Sequence, residues 1–177
     1  MSPALPVTFR EATPAELPAL VRIDDDAATL FEEAGLRFSG PAIEAFVEAE
    51  YERWRRAAEA HRVELAVEAT GEPVGFIALG YVDGRPHLDQ LSVVRAWMRR
   101  GVGRALLARA VAWSERAGEL WLTTYAHLPW NAPMYERAGF MRVEESRCGP
   151  ELRAILRAER AALPRPEARV AMVRRRG

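Results

Sequence analysis

Between Val63 and Val94 the hydrophobic period is two, interrupted twice by tight-turn signals, and at Gly101 it changes to the period of a helix. Val63, Leu65, Val67 and Ala69 alternate with Glu64, Ala66 and Glu68, the pattern of a half-buried strand. Gly71-Glu-Pro73 turns the chain into Val74–Val82, and Asp83-Gly84, a favoured hairpin pair, turns it into His87–Val94. Three consecutive strands joined this way form an antiparallel meander. Its last strand runs directly into an amphipathic helix, with Val102, Leu106, Ala110 and Trp113 on one face and Gly118 at its end.

The flanking segments complete the order. Val7 opens a short strand, and Thr13, Pro14 and Glu16 supply a cap, a first-turn proline and a capping-box carboxylate for a helix carrying Leu17, Leu20, Val21 and Ile23. A second helix follows Ser39-Gly-Pro41, with Ile43, Phe46, Val47, Trp54 and Ala57 at helical spacing. After the central helix come a strand at Glu119–Ala126, a short helix at Pro133–Ala138 and a strand at Phe140–Glu145. A helix at Pro150–Ala162 and a closing strand at Ala168–Arg174 follow. The order β-α-α-β-β-β-α-β-α-β-(α)-β is a mixed α/β fold in one domain, residues 1–177.

Composition narrows the chemistry. The chain carries 25 cationic and 25 anionic side chains, and every cation is arginine. Without lysine there is no Schiff-base lysine and no phosphate-loop lysine. A net charge of zero argues against a general nucleic-acid binder. No apolar run approaches the ~18 residues of a membrane span, and Met1–Phe9 lacks the features of an export signal. Cys148 is the only cysteine, which fits a reducing, cytoplasmic setting. His61, His87 and His127 lack ligand spacing, so no metal is expected.

The most informative segment is Leu91-Ser-Val-Val-Arg-Ala-Trp-Met-Arg-Arg-Gly-Val-Gly-Arg-Ala105, a strand entering an arginine-bearing loop whose two glycines open a helix. The first turn of a helix leaves N–H groups unpaired and carries a partial positive charge, so it attracts anions. Gly101 and Gly103 put no side chain between a diphosphate and the backbone, while Arg95, Arg99, Arg100 and Arg104 bring positive charge to the same place. A plain helix start with solvated arginines accounts for the same residues. A dinucleotide fingerprint does not fit, because position 106 is Leu where the third glycine belongs. The second segment is Trp130-Asn-Ala-Pro-Met-Tyr-Glu-Arg-Ala-Gly-Phe140. Tyr135, a phenol of pKa ~10, can hand a proton to a departing anion, although a lone helical tyrosine also serves simply as packing.

Together these segments resemble the GNAT superfamily of acyl-CoA-dependent N-acyltransferases, over nearly the whole chain. The family's Gln/Arg-x-x-Gly-x-Gly/Ala motif resembles Met98-Arg-Arg-Gly-Val-Gly103, departing from it at Met98. Its tail motif, an asparagine followed by Tyr-Glu-x-x-Gly-Phe, resembles Asn131 with Tyr135-Glu-Arg-Ala-Gly-Phe140, at a shorter asparagine–tyrosine spacing.

The resemblance implies a central mixed, twisted sheet splayed between strands 4 and 5, with helices on both faces. It implies acetyl-CoA as cosubstrate and no metal. The pantetheine would lie along Leu91, Ser92 and Val93, and the diphosphate on Arg99, Arg100, Gly101, Val102, Gly103, Arg104 and Ala105. Asn131 would hold the cosubstrate arm, Tyr135 would protonate the departing thiolate, and the Val93 N–H would polarise the thioester carbonyl. The acceptor would be a primary amine attacking directly, on an enzyme that is a possible homodimer.

The base stays open. Asp89 and His87 are candidates and, by alternation, share a strand face with Leu91 and Val93; His127 is a third. Asp89 reads equally as a strand-edge charge paired with an arginine. At pH 7 an α-amine of pKa ~8 costs about 1.4 kcal/mol to deprotonate and a lysine-like amine about 4.6 kcal/mol, which favours a small low-pKa amine such as an amino acid. Asp24, Asp25, Asp26, Phe31, Glu32 and Glu33 are possible acceptor contacts that read more simply as a solvated helix face. Arg174–Arg176 reads as a solvated end. The alternative function is a non-catalytic acetyl-CoA-binding sensor, in which Tyr135 has no catalytic purpose.

Overall fold

The chain alternates strands and helices as the periodicity predicts: β1 (Val7–Glu11), α1 (Leu17–Glu33), α2 (Pro41–Glu59), β2 (Val63–Glu68), β3 (Pro73–Val82), β4 (Arg85–Val93), α3 (Val102–Ser114), β5 (Glu119–Tyr125), α4 (Ala132–Arg137), β6 (Met141–Val143), α5 (Pro150–Ala162) and β7 (Arg169–Arg175). These coordinates are a computed structural model describing residues 5–177, so the Met1–Phe9 segment lies partly outside them. Thr13 and Glu16 form the expected capping box, at a 3-10 turn (Pro14–Glu16) leading into α1. β6 is shorter than the sequence pattern predicts. Phe140 turns into the core ahead of it, and Glu145–Arg147 after it forms a 3-10 turn.

The seven strands form one sheet in the order β1-β2-β3-β4-β5-β7-β6. β1 to β4 are antiparallel neighbours, as the two tight turns require. β7 returns between β5 and β6, antiparallel to both. β4 and β5 are the parallel pair, and His87 and Trp121 are their one register pair. Beyond that bridge Gln90–Val93 and Thr123–Tyr125 have no ladder partners across the gap, and the strands part. This is the splay.

Helices cover both faces. One apolar cluster packs Val102, Leu106, Leu107 and Ala110 of α3, with Ala132 of α4, onto Leu88, Leu120, Leu122 and Met172. On the opposite face Leu20 and Ile23 of α1 and Trp54 and Ala57 of α2 pack onto Leu65 and Phe76. Leu152 and Leu156 of α5 cover Trp121 and Val173 beside them. No helix among the described residues is long and apolar enough to cross a membrane.

One irregularity positions the chemistry. Leu79 pairs with Leu88, but Ala78 pairs with Gln90, so Asp89 is an extra residue in β4, a β-bulge. The bulge resets the alternation. His87 and Asp89 therefore do not share a face with Leu91 and Val93, as strict alternation predicts. Leu88, Leu91 and Val93 face α3, whereas Asp89 reaches Arg53 of α2, and Gln90 and Ser92 reach Asp24 of α1.

Candidate active site

The glycine–arginine loop lies where β4 gives way to α3. Gly101 is the N-cap of α3, at φ +89°, and Arg99 is also left-handed, at φ +61°. Alternating hands in such a turn aim successive N–H groups to one side. The first bond of the helix runs from Ala105 N–H to Gly101 C=O at 3.0 Å, so the N–H groups of Val102, Gly103 and Arg104 have no intrahelical acceptor. A Cβ on Gly103 would meet only Val93 Cγ2 at 3.8 Å and Leu91 Cδ2 at 3.9 Å, ordinary contacts. Packing therefore does not demand glycine here, and the backbone stays open to close approach. Arg99, Arg100 and Arg104 are exposed and have no carboxylate partner among the described residues. Arg100 lies over the Trp97 ring at 5.0 Å. Arg95, expected in the same cluster, is turned away: its guanidinium pairs with Glu33 at 3.0 Å and its N–H donates to Asp26 at 2.6 Å.

The splay supplies a second set of unpaired backbone groups. Val94 N–H donates to Val74 C=O at 2.9 Å, toward β3. Leu91 and Val93 are one step out of phase, so their N–H and C=O groups turn toward β5, where no strand partner meets them. The Ser92 side chain points to the other face and donates to Asp24 at 2.7 Å.

Tyr135 stands in α4 under the far side of the splay, half-buried, its ring 5.7 Å from that of Phe140. Burial pushes its phenol up to about 12, partly offset by Arg169, so it remains a proton carrier through neutral pH. Asn131 is the N-cap of α4 but does not spend its side chain on the cap; its carbonyl accepts from Met134 and Tyr135, and its amide makes no hydrogen bond among the described residues. His127 is exposed, against the Tyr125 ring.

On the α1–α2–α5 face, charged groups crowd around the root of the splay. His87 is 2% exposed; its Nδ1 lies 2.6 Å from Asp89 Oδ1, and its Nε2 is buried with no protein partner. Asp89 also accepts from Arg53 at 2.9 Å. Burial pulls the Asp89 carboxyl upward, but His87 and Arg53 outweigh it and hold the group below the ordinary value. A carboxylate held ionised by two partners is a weak base, which moves attention to its neighbours.

Sequence reading missed Glu50, an acidic residue in a helix rich in them. It lies 3.1 Å from Arg53. Burial pushes its carboxyl up to about 7; Arg53 pulls it down, while Glu159, Asp89 and Asp24 push it further up. Asp24 is likewise raised by burial, against hydrogen bonds from Ser92 and Gln90. Glu159 pairs with buried Arg169 at 3.0 Å and accepts from Thr123 at 2.6 Å, and Arg169 lies 4.6 Å over the Tyr125 ring. No local pattern announces these residues, because α2, α5 and β7 meet only in the tertiary structure.

The α1 residues are a solvated face only in part: Asp25, Asp26, Glu32 and Glu33 are exposed, while Asp24 and Phe31 are half-buried. Asp24 and Asp26 bond β4 and the segment after it, and Phe31 packs against Phe38, Tyr125 and Trp130 at about 6 Å. At the C-terminus Arg174 and Arg175 belong to β7, with Arg174 donating to Ala138 C=O and Arg175 lying over Trp121. Among the described residues no three His, Cys, Asp or Glu side chains gather as a metal site.

Comparison with solved structures places this arrangement among known folds. The chain superposes on the PaiA N-acetyltransferase of Thermoplasma acidophilum in complex with coenzyme A, with TM-score 0.66, 18% identity, and 96% of this chain and 98% of that one covered. It superposes on the ribosomal-protein-S18-alanine N-acetyltransferase of Escherichia coli with TM-score 0.60, 18% identity, and coverage of 96% and 93%. For the N-acetylglutamate synthase of Neisseria gonorrhoeae, complexed with coenzyme A and N-acetyl-glutamate, the TM-score is 0.65 at 17% identity. There 97% of this chain is covered but only 35% of that one. These likenesses show the fold. The family itself is shown by sequence, since a family model of GNAT acetyltransferases matches residues 27–140, from α1 through the tyrosine helix to Phe140. With the glycine loop, the splay and the tyrosine helix all inside that match, the chain belongs to the acetyltransferase (GNAT) family.

Proposed function

We propose that this chain, residues 1–177 acting as one catalytic domain, transfers an acetyl group from acetyl-CoA to a small-molecule primary amine by direct attack. The carrying observation is the opening of the β4–β5 pair beyond His87–Trp121, with Leu91 and Val93 backbone groups turned into the gap. Unpaired N–H groups and free arginines lie at the start of α3, while Tyr135 packs on the α3 side of the sheet and Glu50 stands in α2 on the other. Acetyl-CoA supplies the thioester acyl group. The α3 N-terminus with Arg99, Arg100 and Arg104 suits its phosphates, the Leu91 and Val93 backbone suits its amide-bearing arm, and the Asn131 amide, uncommitted within the protein, is free to hold that arm.

Each catalytic duty has a residue. The Val93 N–H, turned toward β5 without a strand partner, polarises the carbonyl. Glu50, at about 7, takes the ammonium proton, and the surrounding carboxylates draw the cationic amine in before it is deprotonated. Tyr135 gives its proton to the leaving thiolate. Cys148 has no part, since it is buried beside Trp121 and Leu152 and burial pushes its thiol up.

The base sets the acceptor class. Moving a proton to Glu50 from an α-amine of pKa ~8 is uphill by about 1.4 kcal/mol, and from a lysine-like amine by about 4.6 kcal/mol. A low-pKa amine such as an amino acid is favoured. The Neisseria synthase is complexed with N-acetyl-glutamate, an N-acetylated amino acid. Thiol release measured with amino acids, polyamines, aminoglycosides and peptides tests this directly. Equal turnover of a polyamine and an α-amino acid at pH 7 would remove the acceptor preference. Tight acetyl-CoA binding without release on any amine would identify a sensor instead.

A further inference from the structure

Apart from the splay, the fold contains a cleft of about 440 Å³ between the C-terminal half of α2 and the first turns of α5. It overlies Leu79–Val82, which pair with Arg85–Leu88 at the opposite end of β4 from Val93. Leu79, Val82 and Ile155 give it apolar walls, and Arg53, Arg56 and Arg62 give it charge. The size suits a small ligand.

The positive charge is only partly neutralised within the cleft. Of its two carboxylates, Asp89 pairs with Arg53 and with His87, and Glu151 accepts the Asp83 N–H, so neither bonds Arg56 or Arg62. Arg56 shares Glu52 with Arg55, which takes both of that carboxylate's oxygens. Arg62 has no carboxylate partner among the described residues; its Nε is buried without an acceptor, and its guanidinium lies 5.5 Å over the Tyr81 ring. A guanidinium stacked on an aromatic face keeps its in-plane donors available for a carboxylate or phosphate.

We propose that this cleft is a second binding site, for a small ligand bearing a carboxylate or phosphate group, held by Arg62 and Arg56, whose occupancy acts on the acetyl-transfer centre through Arg53. Arg53 lines the cleft and also bridges Asp89 and Glu50. An anion beside it competes with those two carboxylates for its donors and loosens the charge network behind the splay. The effect on turnover rests on the function proposed above; the binding does not.

The test is calorimetric titration of inorganic phosphate and, separately, succinate into protein saturated with coenzyme A, so that the α3 site is already filled. At least one anion binds saturably to the wild type, and Arg62→Gln weakens it about tenfold or more while leaving coenzyme A affinity unchanged. Arg56→Gln weakens it by a smaller factor and keeps the test decisive should Arg62→Gln fold poorly. Saturable binding of neither anion, or equal binding by wild type and both variants, overturns the site. Where an acceptor amine supports turnover, the bound anion lowers kcat in the wild type and not in Arg62→Gln; an unchanged kcat overturns the link through Arg53. Should no amine be acetylated, the proposed function fails while the titration still decides the cleft.

Discussion

His87 Nδ1 and Asp89 Oδ1 lie 2.6 Å apart, on either side of Leu88 where β4 carries its bulge. The extra residue at the bulge keeps both side chains on the α2 side, where Arg53 completes the set at 2.9 Å. The trio is a buried anchor between β4 and α2, and Asp89 is its one anion.

Replacing that anion should be costly. Asp89→Ala leaves Arg53 and His87 without their shared acceptor, and the expected loss is about 3 kcal/mol, a drop in Tm of roughly 6–12 °C. Because the Asp89 carboxyl is held below its ordinary value, its contribution is present above the unfolded pKa of ~3.9 and is lost as pH falls through the folded value. Thermal melts from pH 7 down to pH 3 should show a steeper acid loss in the wild type than in the variant.

Tyr135→Phe should retain acetyl-CoA affinity and lose about 10²-fold or more in kcat. The ring still packs on Phe140, so Tm should move little. With its phenol pushed up to about 12, Tyr135 stays protonated across the assay range and contributes no basic limb below that pH. Calorimetric binding and thiol release on the same preparation check both halves; unchanged kcat would remove the tyrosine from the reaction.

Glu50 should set the acid limb. Its carboxyl, pushed up to about 7, is a base above that pH and is protonated below it, so kcat/KM should rise with pH around a midpoint near 7. Glu50→Gln should remove that limb and lower kcat about 10²-fold. A variant with the wild-type limb intact would assign the base elsewhere.

Gly103→Val should fold, since the space around Cβ is open to 3.8 Å, yet raise the KM for acetyl-CoA about tenfold or more by screening the N–H groups of the first turn. Gly101→Val should also lose stability, because its φ of +89° disfavours any side chain. Comparing the two Tm values with the two KM values separates the ligand role from the backbone role.

Most elements and the glycine–arginine loop could be read from residues alone. The meander follows from Gly71–Pro73 and Asp83-Gly84, α3 from Gly101 and its apolar stripe, and the unpaired first turn of that helix from two glycines beside arginines. Each depends on residues within a turn or two of one another. The strand face of Asp89 could not be read this way, because His87, Asp89 and Gln90 carry no apolar alternation that would reveal the bulge.

Sequence by itself thus determined where strands and helices form and where a glycine–arginine loop opens a helix, since hydrogen-bond periodicity and turn geometry are short-range. Only the tertiary structure decided that β7 returns between β5 and β6, that Arg95 pairs with Glu33 instead of joining the arginines of the α3 loop, and that the Glu50 carboxyl is pushed up to about 7. The physical reason is that a carboxyl's proton affinity depends on its burial and on neighbouring charges. For Glu50 those neighbours come from α1, β4 and α5 as well as from its own helix, and folding alone brings them together.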